Sequence, residues 1–299
     1  MYDQASKLRQ IINENFHRQN QKSASVRVYS VTSGKGGVGK TNLSVNMAIV
    51  LQSLGKRVLL IDADLGLANV DVVAGLYPKY NISHIVNSGS RVNDVIIDGP
   101  MGIKILPGAS GIYDLANLTG AELNQLIEAF KSIATAFDII IIDTGAGISK
   151  NVISFVQSSD EAIVVTTPEP SAVTDAYAVI KLIHKCVDRI HIIVNRADNF
   201  KEADFTAQKI CNASQKFLNT TVYYLGFVLE DRTVYLSNMK QIPFYINYPN
   251  GLASKCISNI GKKLLYGGQI PAEGNKTVES WFRKLVSYIT NEARLRGGW

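Results

Sequence analysis

From Val26 onward, short runs of apolar and β-branched residues alternate with longer stretches in which apolar residues recur every three to four positions. The short runs occur at Val26–Thr32, Arg57–Ile61, Ile103–Leu106, Asp138–Ile142, Glu161–Thr166, Arg189–Val194 and Thr221–Phe227, and each predicts a strand. Several are apolar almost throughout, as in Val58-Leu59-Leu60-Ile61 and Ile139 to Ile142, which suits strands covered on both faces of a parallel sheet. Helical periodicity falls between them at Thr41–Leu54, Thr119–Ala136, Ser171–His184 and Lys201–Leu218. Strand and helix in alternation predict βαβ units, hence an α/β fold with a doubly wound, mostly parallel sheet. The expected division is an arm at 1–25, one domain at 26–266, a glycine-containing linker at 267–275 and a terminal helix at 276–299.

Composition narrows the class. A chain of 299 residues, 46% hydrophobic and 19% charged, can bury its own core and is not mostly disordered. No apolar run reaches about 18 residues, so no spanning helix is expected. The polar stretch from Met1 to Asn20 does not read as a secretory signal. Cys186, Cys211 and Cys256 lack CxxC spacing, which fits a reducing compartment and gives no support for an iron–sulfur site. The four histidines show no ligand spacing either. A cytoplasmic location is expected.

The net charge of +6 is unevenly placed. Residues 1–27 carry five Lys/Arg and two Asp/Glu, residues 276–299 carry the same numbers, and the 21 basic and 21 acidic residues between them cancel. Two basic ends on a neutral body point to anionic partners: a membrane surface, nucleic acid or an acidic protein face.

The most specific motif is Gly34-Lys35-Gly36-Gly37-Val38-Gly39-Lys40-Thr41, a full match to G-x-x-x-x-G-K-S/T between a strand and a helix. Glycines there let backbone N–H groups, those of Val38 and Asn42 included, close around phosphate oxygens at a helix N-terminus. Lys40 is expected to reach the β- and γ-phosphates, and the Thr41 hydroxyl to ligate Mg²⁺. Asp62 and Asp64 follow one apolar strand and Asp143 follows another, on the side where ligands bind in open α/β sheets.

The lysine at the start of the loop, Lys35 in K-G-G-V-G-K-T, resembles the deviant Walker A family that includes MinD, ParA and FlhG. The resemblance implies ATP and Mg²⁺ as cofactors and a homodimer that sandwiches two ATP molecules. Lys35 would then act on the partner's nucleotide, Asp64 on the attacking water, and Asp143, with Asp62, on the metal shell. Asn69 matches a switch residue. Asn195 and Arg196 match the adenine-recognition position, although Asn195-Arg196-Ala197-Asp198 also has the N-K-x-D spacing that reads guanine. The loop favours ATP.

Within that family, Asp143-Thr144-Gly145-Ala146-Gly147 matches the D-T-G-A-G of the FlhG (YlxH, FleN) branch, where MinD usually has proline at the third position. The N-terminal Asp3-Gln4-Ala5-Ser6-Lys7-Leu8-Arg9 matches the D-Q-A-x-x-L-R segment of that branch. The resemblance implies a flagellar-placement ATPase whose arm, through Asp3, Gln4, Ala5, Leu8 and Arg9, activates an FlhF-type GTPase. A MinD-like division ATPase and a ParA-like DNA-partition ATPase are the alternatives. The neutral body argues against nucleic acid as a partner.

At the C-terminus, Val278, Trp281, Phe282, Leu285, Val286 and Ile289 share one helical stripe opposite Arg283, Lys284 and Ser287. Such a helix can lie in an anionic membrane surface, giving reversible attachment to the inner face of the cell membrane, or it can complete the core. A third arrangement stores it on the monomer until ATP-driven dimerisation releases it.

Overall fold

The computed structural model describes residues 26–64, 69–87, 90–108, 133, 136–267 and 284–285. Apart from Ile133 and Ala136, the expected helix at Thr119–Ala136 lies outside the described residues, as do the arm at 1–25 and all of 268–299 but Lys284 and Leu285. In chain order the elements begin with β1 (Arg27–Ser33), α1 (Lys40–Ser53), β2 (Val58–Ala63), α2 (Val70–Ala74), α3 (Ile82–Asn87) and α4 (Val92–Val95). There follow β3 (Ile97–Asp98), a 3₁₀ turn (Pro100–Gly102), β4 (Lys104–Leu106), β5 (Ile139–Ala146), α5 (Lys150–Ser158), β6 (Glu161–Thr166) and α6 (Pro170–Ile183). The chain continues through β7 (Arg189–Ala197), α7 (Phe200–Leu218), β8 (Val222–Leu229), α8 (Arg232–Met239), α9 (Phe244–Asn247) and α10 (Leu252–Tyr266).

The strands form one eight-stranded sheet in the order β3-β4-β2-β5-β1-β6-β7-β8 among the described residues. Only β3 and β4 pair antiparallel, so the sheet is mostly parallel, as the apolar strand runs predict. On one face α1 and α10 pack against Tyr29, Val31, Leu60, Ile141, Ile163 and Ile193. The other face divides between a cluster under α5, α6 and α7 and one built from Val28, Leu59, Ile61, Ile140, Ile142 and Phe155. Leu285 belongs to this last cluster and is 1% exposed, so this residue of the C-terminal stripe is seated on the body.

Three differences from the sequence pattern matter for the site. β2 and β5 run past Ile61 and Ile142, so Asp62 and Asp143 lie inside strands and face each other across the ladder. β7 extends through Asn195 and Arg196. The periodicity also gave no helix between Phe227 and Tyr266, where α8, α9 and α10 form. In α10 the obscuring residue is Gly261, a poor helix former. A side chain there would come 2.5 Å from Val50 Cγ1 of α1, so only glycine lets the two helices approach.

Candidate functional site

β1 places the loop at the sheet's C-terminal edge, and its glycines shape it. Gly37 and Gly39 hold φ of +79° and +88°, a left-handed conformation open to glycine at little cost. A Cβ on Gly34 would stand 2.3 Å from the Asp175 carbonyl oxygen, and one on Gly39 would stand 2.4 Å from Asn195 Nδ2. Gly36 and Gly37 have nothing within 4 Å of that position, so this part of the loop borders open space. Asn195 Nδ2 donates to the Val38 carbonyl at 2.7 Å, and Ser33 Oγ donates to the Lys35 carbonyl at 2.9 Å.

The first turn of α1 buries Lys40, whose Nζ lies 3.8 Å from Asp143 Oδ1. Ser44 Oγ donates to that same oxygen at 2.8 Å. Burial pushes the Asp143 carboxyl above its ordinary range, while Lys40 and the Thr41 and Ser44 hydroxyls pull against that shift. Its second oxygen, Oδ2, is buried without a hydrogen-bond partner. A buried, unshared carboxylate oxygen beside a threonine hydroxyl fits a hard divalent cation that takes oxygen ligands. Among the described residues no group of three or more His, Cys, Asp or Glu side chains could hold a metal by themselves.

Asp62 is arranged differently. Its Oδ1 accepts the Asp64 N–H at 3.1 Å, and its Oδ2 accepts the Asn69 and Val70 N–H groups at 3.2 and 3.3 Å. Both oxygens therefore fix the backbone on either side of Leu65–Ala68, which lie outside the described residues. Burial, then the charge of Asp143, raises the Asp62 carboxyl to about 7. Asp64 stands over Gly145, where a Cβ would meet Asp64 Oδ1 at 3.5 Å and Val152 Cγ2 at 3.3 Å.

Lys35 faces the open side of the loop. Its Nζ bonds Glu169 Oε2 at 2.6 Å and Ser171 Oγ at 3.0 Å, both of the same chain. Beyond Gly39 a cleft of about 320 Å³ is lined by Asn42, Asn195, Arg196, Tyr235, Asn238 and Phe244. Arg196 stands at its rim in a left-handed conformation (φ +57°), with Nε on Glu230 Oε2 at 2.8 Å. The Asn195 amide is engaged by the loop carbonyl, so it shapes the loop as well as lining the cleft.

The fold thus brings together Gly34 through Asn42, Asp62, Asp64, Asp143, Asn195 and Arg196. Asp3, Gln4, Ala5, Leu8, Arg9, Trp281, Phe282, Val286 and Ile289 lie outside the described residues. The sequence pattern missed Ser44, Glu169, Ser171, Glu230, Tyr235 and Asn238. Only Ser44 carried a usable signal, four residues after Lys40 and so on the same helix face. Among the described residues no helix is long and apolar enough to cross a membrane.

Comparison with known proteins agrees with this geometry. A family model described as an AAA domain matches residues 26–195. The antiactivator FleN of Pseudomonas aeruginosa is 37% identical over 88% of this chain and 94% of its own length. The flagellum site-determining protein YlxH of Helicobacter pylori is 35% identical over 97% of this chain and all of its own. The cell division ATPase MinD of Pyrococcus furiosus superposes with a TM-score of 0.66 at 26% identity, over 81% of this chain and 99% of its own. MinD of Pyrococcus horikoshii, solved with Mg-ADP, gives the same TM-score and identity over 83% of this chain. With the loop, the paired strand aspartates and these relatives on one chain, the protein belongs to the AAA-domain family and, within it, to the MinD/ParA-type ATPases on the FleN and YlxH (FlhG) branch.

Proposed function

We propose that this chain is an ATP-dependent dimerisation switch with slow hydrolysis, acting in flagellar number and placement with an FlhF-type GTPase and the membrane. The observation that carries the reading is Lys35. It is a second loop lysine whose side chain is 41% exposed and paired with Glu169 of its own chain, and in this reading it leaves Glu169 for the phosphate site of a second protomer. A cation delivered to transferring phosphoryl oxygens stabilises charge that develops in the transition state.

The other residues divide the work. Backbone N–H groups of the loop and the Lys40 ammonium bind and orient the phosphates of ATP. Thr41 and Asp143 hold Mg²⁺, which when bound compensates phosphate charge. Asp62 keeps the Asp64 backbone in place, and Asp64 orients the attacking water. Asn195 and Arg196 border the cleft taken as the base site, the deviant loop favours ATP, and competition between ATP and GTP decides that point. The arm bearing Asp3, Gln4, Ala5, Leu8 and Arg9 serves the GTPase. The C-terminal stripe serves an anionic membrane surface at the inner face of the cell membrane.

Turnover as a function of protein concentration tests the switch. A lysine acting across a dimer makes ATP turnover per protomer rise with concentration towards a plateau. Constant turnover per protomer over a wide range would overturn the reading. Stimulation of an FlhF-type GTPase by a peptide of residues 1–20 separates the flagellar role from a division role, since a division ATPase has no such activity to show.

A further inference from the structure

At the opposite end of the sheet from the phosphate loop, the first residues of four parallel strands meet the last turn of α10 around a cleft of about 490 Å³. Register builds it. Tyr29, Glu161 and Arg189 pair in one row across β1, β6 and β7, and Ile163, His191 and Tyr223 pair in the next row across β6, β7 and β8. Residues two apart on a strand share a face, so Arg27 joins Tyr29 and Arg189 joins His191 there. Lys263 and Gly267 of the α10 end complete the rim.

The chemistry of the lining is one-sided. Arg27, Arg189 and Lys263 are permanent cations, and the one carboxylate lining the cleft, Glu161, is bound to His191 Nε2 at 2.6 Å. The α10 C-terminus contributes about half a negative charge more, so three cations line the cleft against one carboxylate and that partial charge. Asp160, next to Glu161, accepts the Val28 N–H at 3.0 Å. Arg27 Nη1 donates to the Tyr29 hydroxyl at 3.4 Å, and Lys263 Nζ donates to the Tyr224 carbonyl at 2.8 Å. Burial raises the Tyr29 phenol to about 12, so it stays neutral and does not cancel Arg27. The Arg189 guanidinium lies 5.9 Å from the centre of the half-exposed Tyr223 ring. His191 is 8% exposed, and its Nδ1 has no hydrogen-bond partner.

We propose that this cleft is a second binding site, separate from the ATP site, for a small molecule that carries a phosphate group and an aromatic ring. Two guanidinium forks and an ammonium match phosphate oxygens, and the Tyr223 face takes the ring. The volume is that of a small-molecule site. None of the lining residues serves the phosphate loop.

The test uses the full chain with its phosphate loop occupied by Mg-ADP, and the His191 signal, at the opposite end of the sheet, distinguishes binding in the cleft from phosphate held beside the ADP. Phenyl phosphate is titrated while the His191 ring signals are followed by NMR, with inorganic phosphate and phenol as separate arms. Phenyl phosphate is expected to shift His191 and to bind several-fold more tightly than either fragment. Arg189→Gln is expected to weaken it about tenfold, the loss of one charge-assisted hydrogen bond. Lys263→Ala, at an exposed helix position, is expected to weaken it in the same direction with ADP affinity unchanged. If Arg189→Gln fails to bind ADP, Lys263→Ala decides alone. No His191 shift at millimolar phenyl phosphate, equal affinity for inorganic phosphate, or undiminished binding by a folded Lys263→Ala would each overturn the proposal.

Discussion

Lys35 Nζ rests 2.6 Å from Glu169 Oε2 of its own chain, so the lysine assigned to a partner's nucleotide has a seat at home. The bond and the charge of Lys35 hold the Glu169 carboxyl below its ordinary value. Removing the cation by Lys35→Ala should therefore raise the Glu169 pKa, followed by carboxylate NMR on the nucleotide-free protein. The same upward shift should accompany ATP in a hydrolysis-deficient chain, because the lysine then leaves. An unchanged Glu169 titration in Lys35→Ala would show that the contact is not formed in solution.

The glycines of the loop should separate by what surrounds them. Gly34→Ala forces a Cβ to 2.3 Å from the Asp175 backbone, so it should destabilise the fold by about 2 kcal/mol or more. Gly36→Ala meets nothing within 4 Å and should leave stability within about 0.5 kcal/mol, any effect falling on ATP affinity. Thermal melts of the two nucleotide-free variants check this, and equal melting temperatures would contradict it.

Asp62 gives a pH dependence of defined sign. Its folded carboxyl, raised to about 7, holds a proton that the unfolded chain releases near 4. The folded state thus binds more protons across that interval, and this group's contribution to stability falls as pH rises from about 4 to about 7. Asp62→Asn removes that term. Relative to wild type without metal or nucleotide, the variant should gain stability across the interval, by on the order of 4 kcal/mol before its altered hydrogen bonds are counted. Denaturant melts at several pH values measure the difference, and a difference that does not vary with pH would sink the assignment.

Leu285 tests where the C-terminal stripe rests. At 1% exposure among Val28, Leu59 and Phe155, Leu285→Ala should cost about 2–4 kcal/mol in the nucleotide-free protein. A negligible loss would mean that the stripe is off the body.

The sequence made some of this site visible and concealed the rest for physical reasons. Gly34 through Thr41 are contiguous, so their chemistry needs no knowledge of the fold. Asp62 and Asp143 end apolar runs and were visible as acids, yet not as a facing pair inside two strands, because ladder register is a long-range property. Glu169 meets Lys35 across a separation of 134 residues, and nothing local to Pro168-Glu169-Pro170 announces it. Helix α10 was obscured by Gly261, whose missing side chain is explained by Val50 on another helix. Tyr235 and Asn238 reach the cleft beyond Gly39 from α8, which no periodicity marked.

The central claim is that ATP joins two protomers through Lys35. Light scattering on the Asp64→Ala chain, where hydrolysis is expected to be slowed, measures it directly. With Mg-ATP the mass should be twice the 32.7 kDa of one chain, and with Mg-ADP, or after Lys35→Ala, it should be that of one chain. A single unchanging mass in all three samples, from protein shown to bind ATP, would contradict the account.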